Sequence, residues 1–170
     1  MKSLYYILFF VIFSSVSFFV ICQNIPSPRR EQTSTLVGTR LNFFGGATSS
    51  IGFSNEVWYL DLSSSFSISK PPWHSDAAMP VGYNFGTSCL SPIDNSTVFL
   101  IGGRTWIANT NSFSYTSSVY KFDSNTSQWT TPTINNFNSS FEARNEIQAV
   151  LDNNGKIVVL VGLIMVMMII

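Results

Sequence analysis

The side chains best suited to catalysis or metal binding are few and lie far apart in this chain. The sequence has 170 residues, with one histidine, His74, and two cysteines, Cys22 and Cys89. Ordinary zinc centres take three or four protein ligands from histidine, cysteine and carboxylate side chains. One imidazole and two separated thiols do not supply such a set, so we predict no metal site and no cofactor. We interpret His74, in a polar segment, as a loop residue.

The carboxylates show no catalytic spacing either, and the chain has no G-x-S-x-G turn and no phosphate-binding loop. The nine acidic residues are Glu31, Glu56, Asp61, Asp76, Asp94, Asp123, Glu142, Glu146 and Asp152. Two of them can still meet through folding, as in a glycosidase pair. The sequence therefore favours a non-enzymatic chain and leaves a carbohydrate-active enzyme as the alternative.

The feature that organises the chain is a repeated pair of glycines. Gly45-Gly46 ends the apolar run LNFF, and Gly102-Gly103 ends the run VFLI 57 residues later. Two glycines at a strand end allow positive φ angles and a close approach of neighbouring backbone. A fixed period of roughly this length indicates stacked β units.

A second pattern follows each glycine pair after a polar loop. An apolar run ends in Leu60-Asp61 in the first copy and in Phe122-Asp123 in the second. Because both aspartates take equivalent places, we expect them to cap a turn through side chain to backbone hydrogen bonds.

Tryptophans complete the two copies. Trp73 comes 13 residues after Leu60, and Trp129 comes seven residues after Phe122. The whole pattern resembles the kelch repeat, the four-stranded blade of a β-propeller, which has a diglycine ending its second strand, an aromatic-Asp pair in the third and a tryptophan in the fourth. The longer spacing in the first copy predicts a six-residue insertion, which we place at SISKPP.

The resemblance implies an all-β chain: an incomplete kelch-type β-propeller of about two and a half repeats, after an N-terminal signal or hydrophobic helix. A third copy starts at Leu151–Gly162, where the diglycine is lost because Leu163 follows Gly162. The predicted segments are 1–22, a signal peptide or anchor; 23–32, a linker; 33–80, blade 1; 81–141, blade 2; and 142–170, the start of blade 3 with an apolar tail. The predicted strands are Thr33–Val37, Arg40–Phe44, Glu56–Asp61, one near Trp73, Gly86–Leu90, Thr97–Ile101, Ser118–Asp123, Gln128–Thr131, Gln148–Leu151 and Lys156–Val161.

The family that this pattern resembles includes a copper enzyme, galactose oxidase, whose central domain is a kelch propeller. The copper site that this implies takes two histidines, two tyrosines and a cysteine linked to one of the tyrosines. A chain whose one histidine is His74 cannot assemble that site. The chain by itself therefore favours a non-enzymatic scaffold, and the alternative is that it forms one part of a galactose-oxidase-like or carbohydrate-active enzyme.

The N-terminus predicts entry into the secretory pathway. One lysine precedes an apolar and serine-rich stretch from Leu4 to Cys22, and Val20 and Cys22 suit cleavage before Gln23. The stretch approaches the length that spans a bilayer, so an anchor contacting the membrane through residues 4–22 is the alternative. Either way we expect the rest of the chain to be secreted or on the extracellular face of the membrane.

Three glycosylation sequons agree with that compartment, and they begin at Asn95, Asn125 and Asn138. If Cys22 leaves with a signal peptide, Cys89 has no cysteine partner within the chain, and we expect it to be buried in a first strand.

The C-terminal run Ile157–Ile170 carries no charge. As a helix it would be about 21 Å long, shorter than the roughly 30 Å hydrocarbon core of a bilayer. We therefore predict a buried blade strand that continues into an abnormal or truncated end, with a membrane segment as the alternative.

The charge balance and the blade count shape the expected partners. Charged residues are 11% of the chain and the formal net charge is +0, which predicts no nucleic-acid partner. We predict a scaffold whose propeller loops contact a protein or a glycan. Because a propeller closes with roughly four to eight blades, we also expect self-association, completion by another chain, or a truncated product without independent function. Loop aromatics that could form a sugar-stacking or protein-binding surface, or pack between blades, are Phe53, Trp106, Phe113 and Tyr115.

Overall fold

A computed structural model describes residues 25–50, 52–114, 119–133, 146–161 and 164–169. All regular structure in these residues is β, so the all-β class is confirmed. The strands are β1 (Arg29–Arg30), β2 (Thr33–Val37), β3 (Arg40–Phe44), β4 (Ala47–Thr48), β5 (Gly52–Phe53), β6 (Val57–Asp61), β7 (Trp73–Asp76), β8 (Gly82–Asn84), β9 (Thr87–Leu90), β10 (Thr97–Ile101), β11 (Arg104–Trp106), β12 (Val119–Asp123), β13 (Gln128–Thr130), β14 (Gln148–Leu151), β15 (Lys156–Val161) and β16 (Ile164–Ile169). The helix predicted within residues 1–22 lies outside the described residues.

Three antiparallel sheets follow one another along the chain. Sheet I has the strand order β2-β3-β6-β7, sheet II has β9-β10-β12-β13, and sheet III has β14-β15-β16. Two small sheets, β1-β4-β5 and β8-β11, extend from one end of sheets I and II. The segment predicted as a linker therefore contributes β1, which pairs with β4.

The first strands of the three sheets are neighbours. β9 contacts both β2 and β14, so the sheets share one inner edge and diverge from it. A left-handed residue stands two positions before each of these strands: Glu31 at φ 63°, Phe85 at φ 59° and Glu146 at φ 54°. The N–H of Phe85 donates to the carbonyl of Glu31 (3.1 Å), and the N–H of Glu146 donates to that of Phe85 (2.8 Å). One backbone hydrogen bond thus links each sheet to the next at the same place.

Sheet II is buried on both faces because it lies between sheets I and III. Every residue of β10 is buried, which explains its uninterrupted run of apolar and β-branched side chains. Val98 and Leu100 point towards sheet I, whereas Phe99 and Ile101 point towards sheet III.

Aromatic rings dominate the core between sheets I and II. Phe44 packs edge-on against Phe122 at 5.7 Å and against Trp129 at 5.9 Å between ring centroids. The buried residues of this core are Val37, Phe44, Val57, Met79, Val81, Tyr83, Val98, Leu100, Tyr120 and Phe122. The core between sheets II and III is formed by Phe99, Ile101, Val119, Ile147, Leu151, Ile157 and Val159.

The apolar C-terminal run begins with β15, which has the predicted bounds Lys156–Val161, and continues into a further strand, β16. It forms a hairpin in which Lys156 pairs with Ile169 and Val161 with Ile164. In the described residues no helix is long and apolar enough to cross a membrane.

The register of sheet III also corrects the sequence alignment of the third copy. Thr87 pairs with Ile101 in sheet II, and Gln148 pairs with Leu160 in sheet III. Val161 therefore stands at the position of Gly102, and Gly162 at the position of the second glycine rather than the first.

Candidate binding face

The two ends of the sheets differ in the length of their connections. We call the end that carries the connections 45–56, 77–86 and 102–118 the loop end, and the end that carries the turns 38–39, 91–96 and 124–127 the turn end. The segment 62–72 between β6 and β7 also lies at the turn end. In each sheet the first strand runs antiparallel to the second, so it begins at the end where the second strand finishes. The segment that links one sheet to the next and the loop that follows each glycine pair therefore both lie at the loop end.

The glycine pairs direct the chain from the sheets into the loop end. Gly45 and Gly46 have φ angles of 62° and 98°, a left-handed region that side chains rarely adopt. A Cβ on Gly45 would lie 2.3 Å from the carbonyl oxygen of Tyr83, in the link to sheet II. Gly103 is equally confined, because its Cβ would lie 2.5 Å from the carbonyl oxygen of Asn84. The glycines therefore allow the links between sheets to pack directly on the strand ends.

An arginine at the start of the described chain holds the first glycine turn. Arg29 donates to the Gly45 carbonyl (3.1 Å) and to the Glu56 carboxylate (2.6 Å). Partial burial acts to raise the pKa of Glu56, but the hydrogen bonds from Arg29 and Trp58 outweigh it and lower the pKa. Sequence reasoning gave Arg29 no role, because nothing local marks a partner 27 positions away in the chain.

A three-ring stack stands at the loop end. The ring centroids of Phe53 and Trp106 are 3.7 Å apart, and the two rings are nearly parallel at 7°. The ring of Phe113 stacks on the other side of Trp106, with centroids 4.1 Å apart and an angle of 21°. The indole N–H of Trp106 donates to the Asn84 side chain (2.8 Å), and the indole is only 5% exposed. Two of the predicted loop aromatics therefore pack within the fold, whereas Phe113 is 47% exposed. Tyr115 lies outside the described residues.

Beside this stack the loop end holds an open cavity of about 510 Å³. It is lined by Pro80, Val81, Trp106, Ile107, Ala108, Ser114, Tyr120 and Thr131. None of the lining side chains is charged, and Ile107 is 56% exposed. The link between sheets I and II and the loop that follows the second glycine pair thus both contribute to the wall of the cavity. Its lining suits an apolar or aromatic group with a few hydrogen bonds rather than an ion.

The residues considered for chemistry do not come together. His74 lies in β7 and stacks on Tyr59 at 4.9 Å, so its interpretation as a loop residue was wrong. The strand predicted near Trp73 is present and includes His74. Cys89 lies in β9, where burial raises the pKa of its thiol to about 11. In the described ranges no group of three or more histidine, cysteine, aspartate or glutamate residues is placed to hold a metal ion.

The aspartates that end the third strands bind the turns after them. Asp61 accepts from the Ser63 N–H (2.8 Å), and Asp123 accepts from the Asn125 N–H (2.9 Å). The N–H of Ser63 lowers the pKa of Asp61.

The two tryptophans take equivalent places in the fourth strands. Trp73 pairs with Leu60, and Trp129 pairs with Phe122. The register therefore places the extra residues of the first copy in the segment 62–72.

Two of the three sequons lie at the turn end. Asn95 is exposed and left-handed, with φ 53°, and Asn125 is exposed in the turn between β12 and β13. The two turns touch, since Ser124 donates to the Ser96 carbonyl through both its N–H (3.1 Å) and its hydroxyl (2.8 Å). Asn138 lies outside the described residues.

The turn that holds Asn95 is stabilised by a neighbouring carboxylate. Partial burial acts to raise the pKa of Asp94, but hydrogen bonds from the Thr97 hydroxyl and from the N–H groups of Thr97 and Ser96 lower it to about 2. Asp94 thus stays ionised over the whole physiological range.

The sheet succession and the loop geometry agree with the comparison to known families. The family model described as the KLHDC2/KLHL20/DRC7 Kelch-repeats domain matches residues 8–163. The match covers both glycine pairs, the two aspartates and the two tryptophans of the repeats. The chain belongs to the kelch-repeat family.

Proposed function

We propose that this chain is a non-enzymatic scaffold that binds a partner protein at its loop end. Kelch-repeat domains generally act as protein-binding scaffolds, and this coarse role follows from the family. The observation that supports the loop end is its uncharged cavity of about 510 Å³ beside an exposed Phe113 ring. Large aromatic side chains next to apolar pockets are typical anchors of protein interfaces.

The rigidity of this surface supports the same proposal. Trp106 is held by a ring on each side and by its hydrogen bond to Asn84. A fixed surface loses little conformational freedom on binding, so more of the contact energy appears as affinity.

We further propose that the protein works in the secretory pathway or outside the cell, with glycans at the turn end. Asn95 and Asn125 are exposed there, on turns that contact each other. Glycans at these residues would leave the loop end free for a partner. Removal of glycans by an amidase, followed by mass spectrometry of the Asn95 and Asn125 peptides, tests this part of the proposal separately.

Site-specific photocrosslinking in secreting cells tests the binding face. A photoreactive amino acid replaces Phe113 at the loop end, and the matched control replaces Ile68, which is 94% exposed at the turn end. We expect a defined protein adduct from position 113 and none from position 68. The same adduct from both positions, or none from position 113, would contradict the proposal, and deglycosylation-sensitive adducts alone would assign a glycan partner.

A further inference from the structure

The segment 62–72 between β6 and β7 carries a dense run of serine hydroxyls at the turn end. It reads LSSSFSISKPP, with five serines, two prolines and no acidic residue. Every residue from 62 to 70 is exposed. The hydroxyls of Ser64 and Ser65 have no hydrogen-bond partner within the described part of the chain. The segment therefore offers hydroxyl groups that an enzyme can reach from solvent.

The segment is held at its base and makes few bonds beyond it. The N–H of Leu62 donates to the Thr39 carbonyl (2.8 Å), and the N–H of Asp61 donates to the Pro72 carbonyl (3.1 Å). The described hydrogen bonds of residues 63–70 stay within the segment or reach back to Asp61. The sheet thus fixes the two ends of the segment and leaves its middle in solvent.

A tight turn forms the far part of the segment. The N–H of Lys70 donates to the Ser67 carbonyl (2.9 Å), and the hydroxyls of Ser67 and Ser69 are hydrogen-bonded at 2.9 Å. Ile68, inside this turn, is 94% exposed. The turn therefore projects from the molecule, and its two serine hydroxyls are engaged with each other.

The strand pairing does not require so long a connection. In sheet II the turn 124–127 joins the equivalent strands β12 and β13. The tryptophans of the two fourth strands are nevertheless in the same register, with Trp73 opposite Leu60 and Trp129 opposite Phe122. The additional residues of the segment 62–72 therefore serve something other than the sheet.

Other hydroxyls at the turn end are used by the fold. The Thr97 hydroxyl donates to the Asp94 carboxylate (2.6 Å), and the Ser124 hydroxyl donates to the Ser96 carbonyl (2.8 Å). Modification of either hydroxyl would break a bond that stabilises a turn. Modification of the two unbonded hydroxyls in the segment 62–72 would break none.

We propose that Ser64 and Ser65 are sites of O-linked glycosylation. Exposed segments rich in serine and proline are typical of chains that carry O-linked sugars. The inference rests on the proposed passage through the secretory pathway, which supplies the transferases and the activated sugars. Asn95 and Asn125, where we propose N-linked glycans, lie at the same end of the molecule. The turn end would then be a sugar-covered face opposite the loop end.

The transfer needs a donor sugar whose anomeric carbon is bound to a phosphate oxygen. The serine hydroxyl oxygen forms a bond to that carbon while the bond from the carbon to the phosphate oxygen breaks. The phosphate group leaves with the bonding electrons, and the serine proton passes to a base of the transferase. Pro71 favours an extended backbone at Lys70 and cannot continue a helix, so the acceptor segment stays accessible.

The apolar side chains of the segment support the same assignment. Leu62 and Phe66 are each 40% exposed, and they flank Ser64 and Ser65 in the sequence. Exposed apolar side chains on a projecting segment favour association and proteolytic cleavage. Sugars on the two serines between them would cover this surface.

Mass spectrometry of the secreted full chain tests the assignment. An amidase first removes the N-linked glycans, and fragmentation that keeps sugars on the peptide then locates any remaining mass. We expect sugar on Ser64 and Ser65, lost on alkaline β-elimination and absent from Ser64→Ala/Ser65→Ala. Ser49 and Ser50 are an exposed serine pair at the loop end, so Ser49→Ala/Ser50→Ala is the matched control and should leave the sugar mass unchanged.

Cleavage by chymotrypsin after Phe66 provides a second readout. Both double variants should fold, because substitutions of exposed side chains change stability little. We expect the rate of cleavage to rise in Ser64→Ala/Ser65→Ala and to stay unchanged in Ser49→Ala/Ser50→Ala. Equal rates in the unaltered chain and both variants would contradict sugars beside Phe66.

The outcomes separate this inference from the proposed function. N-linked glycans at Asn95 and Asn125 with no sugar on the segment 62–72 would overturn the O-linked sites and leave the secretory proposal standing. A chain with neither kind of sugar would overturn both. Equal O-linked sugar on Ser49 and Ser50 would also overturn the inference, because the acceptor choice would then not depend on this segment.

Discussion

Replacing Gly45 by alanine tests whether the link to sheet II packs directly on the end of sheet I. The matched control is Gly38→Ala, because Gly38 has nearly the same backbone, φ 56° against 62°, but no atom within 4 Å of an added Cβ. A left-handed alanine costs about 1–2 kcal/mol at either position. At Gly45 the new Cβ would also lie 2.3 Å from the carbonyl oxygen of Tyr83.

Relief of that overlap must move the link between the sheets, at an additional cost of about 1–3 kcal/mol, typical of an overpacked core. We therefore expect Gly45→Ala to lower the free energy of unfolding by roughly 2–5 kcal/mol in total, and Gly38→Ala by only about 1–2 kcal/mol. Urea unfolding followed by tryptophan fluorescence, at one fixed protein concentration, measures both. Equal destabilisation by the two variants would refute the close packing of Tyr83 on Gly45.

Three further perturbations follow from the packing and the pKa shifts. Phe122→Ala should lower the free energy of unfolding by about 3–5 kcal/mol, because Phe122 is 0% exposed between sheets I and II; urea unfolding measures this, and a loss like that of an exposed side chain would contradict the buried aromatic core. Asp94→Ala should lower the free energy of unfolding at pH values above 3.8, the ordinary pKa of an aspartate, and acid unfolding curves should show this loss of stability vanish as the pH falls through about 2. A loss of stability that persists below that pH would show that the carboxylate charge is not responsible. In a Cys22→Ser background Cys89 should react with iodoacetamide roughly a hundredfold more slowly at pH 8 than a free cysteine, because burial raises the pKa of its thiol to about 11. Mass spectrometry follows the reaction, and an equal rate in the native and the urea-unfolded chain would contradict the burial of Cys89.

The main strands of sheets I and II could be predicted from the sequence to within one or two residues. Their runs of β-branched and aromatic residues stand between glycine and polar turns, and both periodicity and punctuation are local signals. Thr33–Val37, Arg40–Phe44 and Thr97–Ile101 have the predicted bounds. The family resemblance rested on the same signals.

The small strands at the loop end could not be predicted in this way. β4 and β5 have two residues each, and β11 has three, so none carries a readable alternation. They exist because the glycine turns bring distant segments together, as where Thr105 in β11 pairs with Tyr83 in β8. The cavity and the ring stack depend on these long-range pairings.

The position of His74 and the C-terminal hairpin show two other limits. The sequence predicts a strand near Trp73, but His74 and Ser75 are exposed and polar, and only the pairing with β6 places them in that strand. In the tail a uniformly apolar run gives no local signal for the boundary between β15 and β16, which pair with each other. In both places tertiary pairing, rather than local composition, decides the structure.

A glycan placed at the cavity tests most directly the claim that the loop end binds the partner. Ala108→Asn creates a sequon with Asn109 and Thr110 at a residue that lines the cavity, and Ala108→Gln changes the same side chain without a sequon. The measurement is the affinity of each secreted variant for the protein crosslinked through position 113. We predict that glycosylated Ala108→Asn loses binding while Ala108→Gln and the unaltered chain keep it. Full binding by the glycosylated variant would contradict a partner site at the loop end.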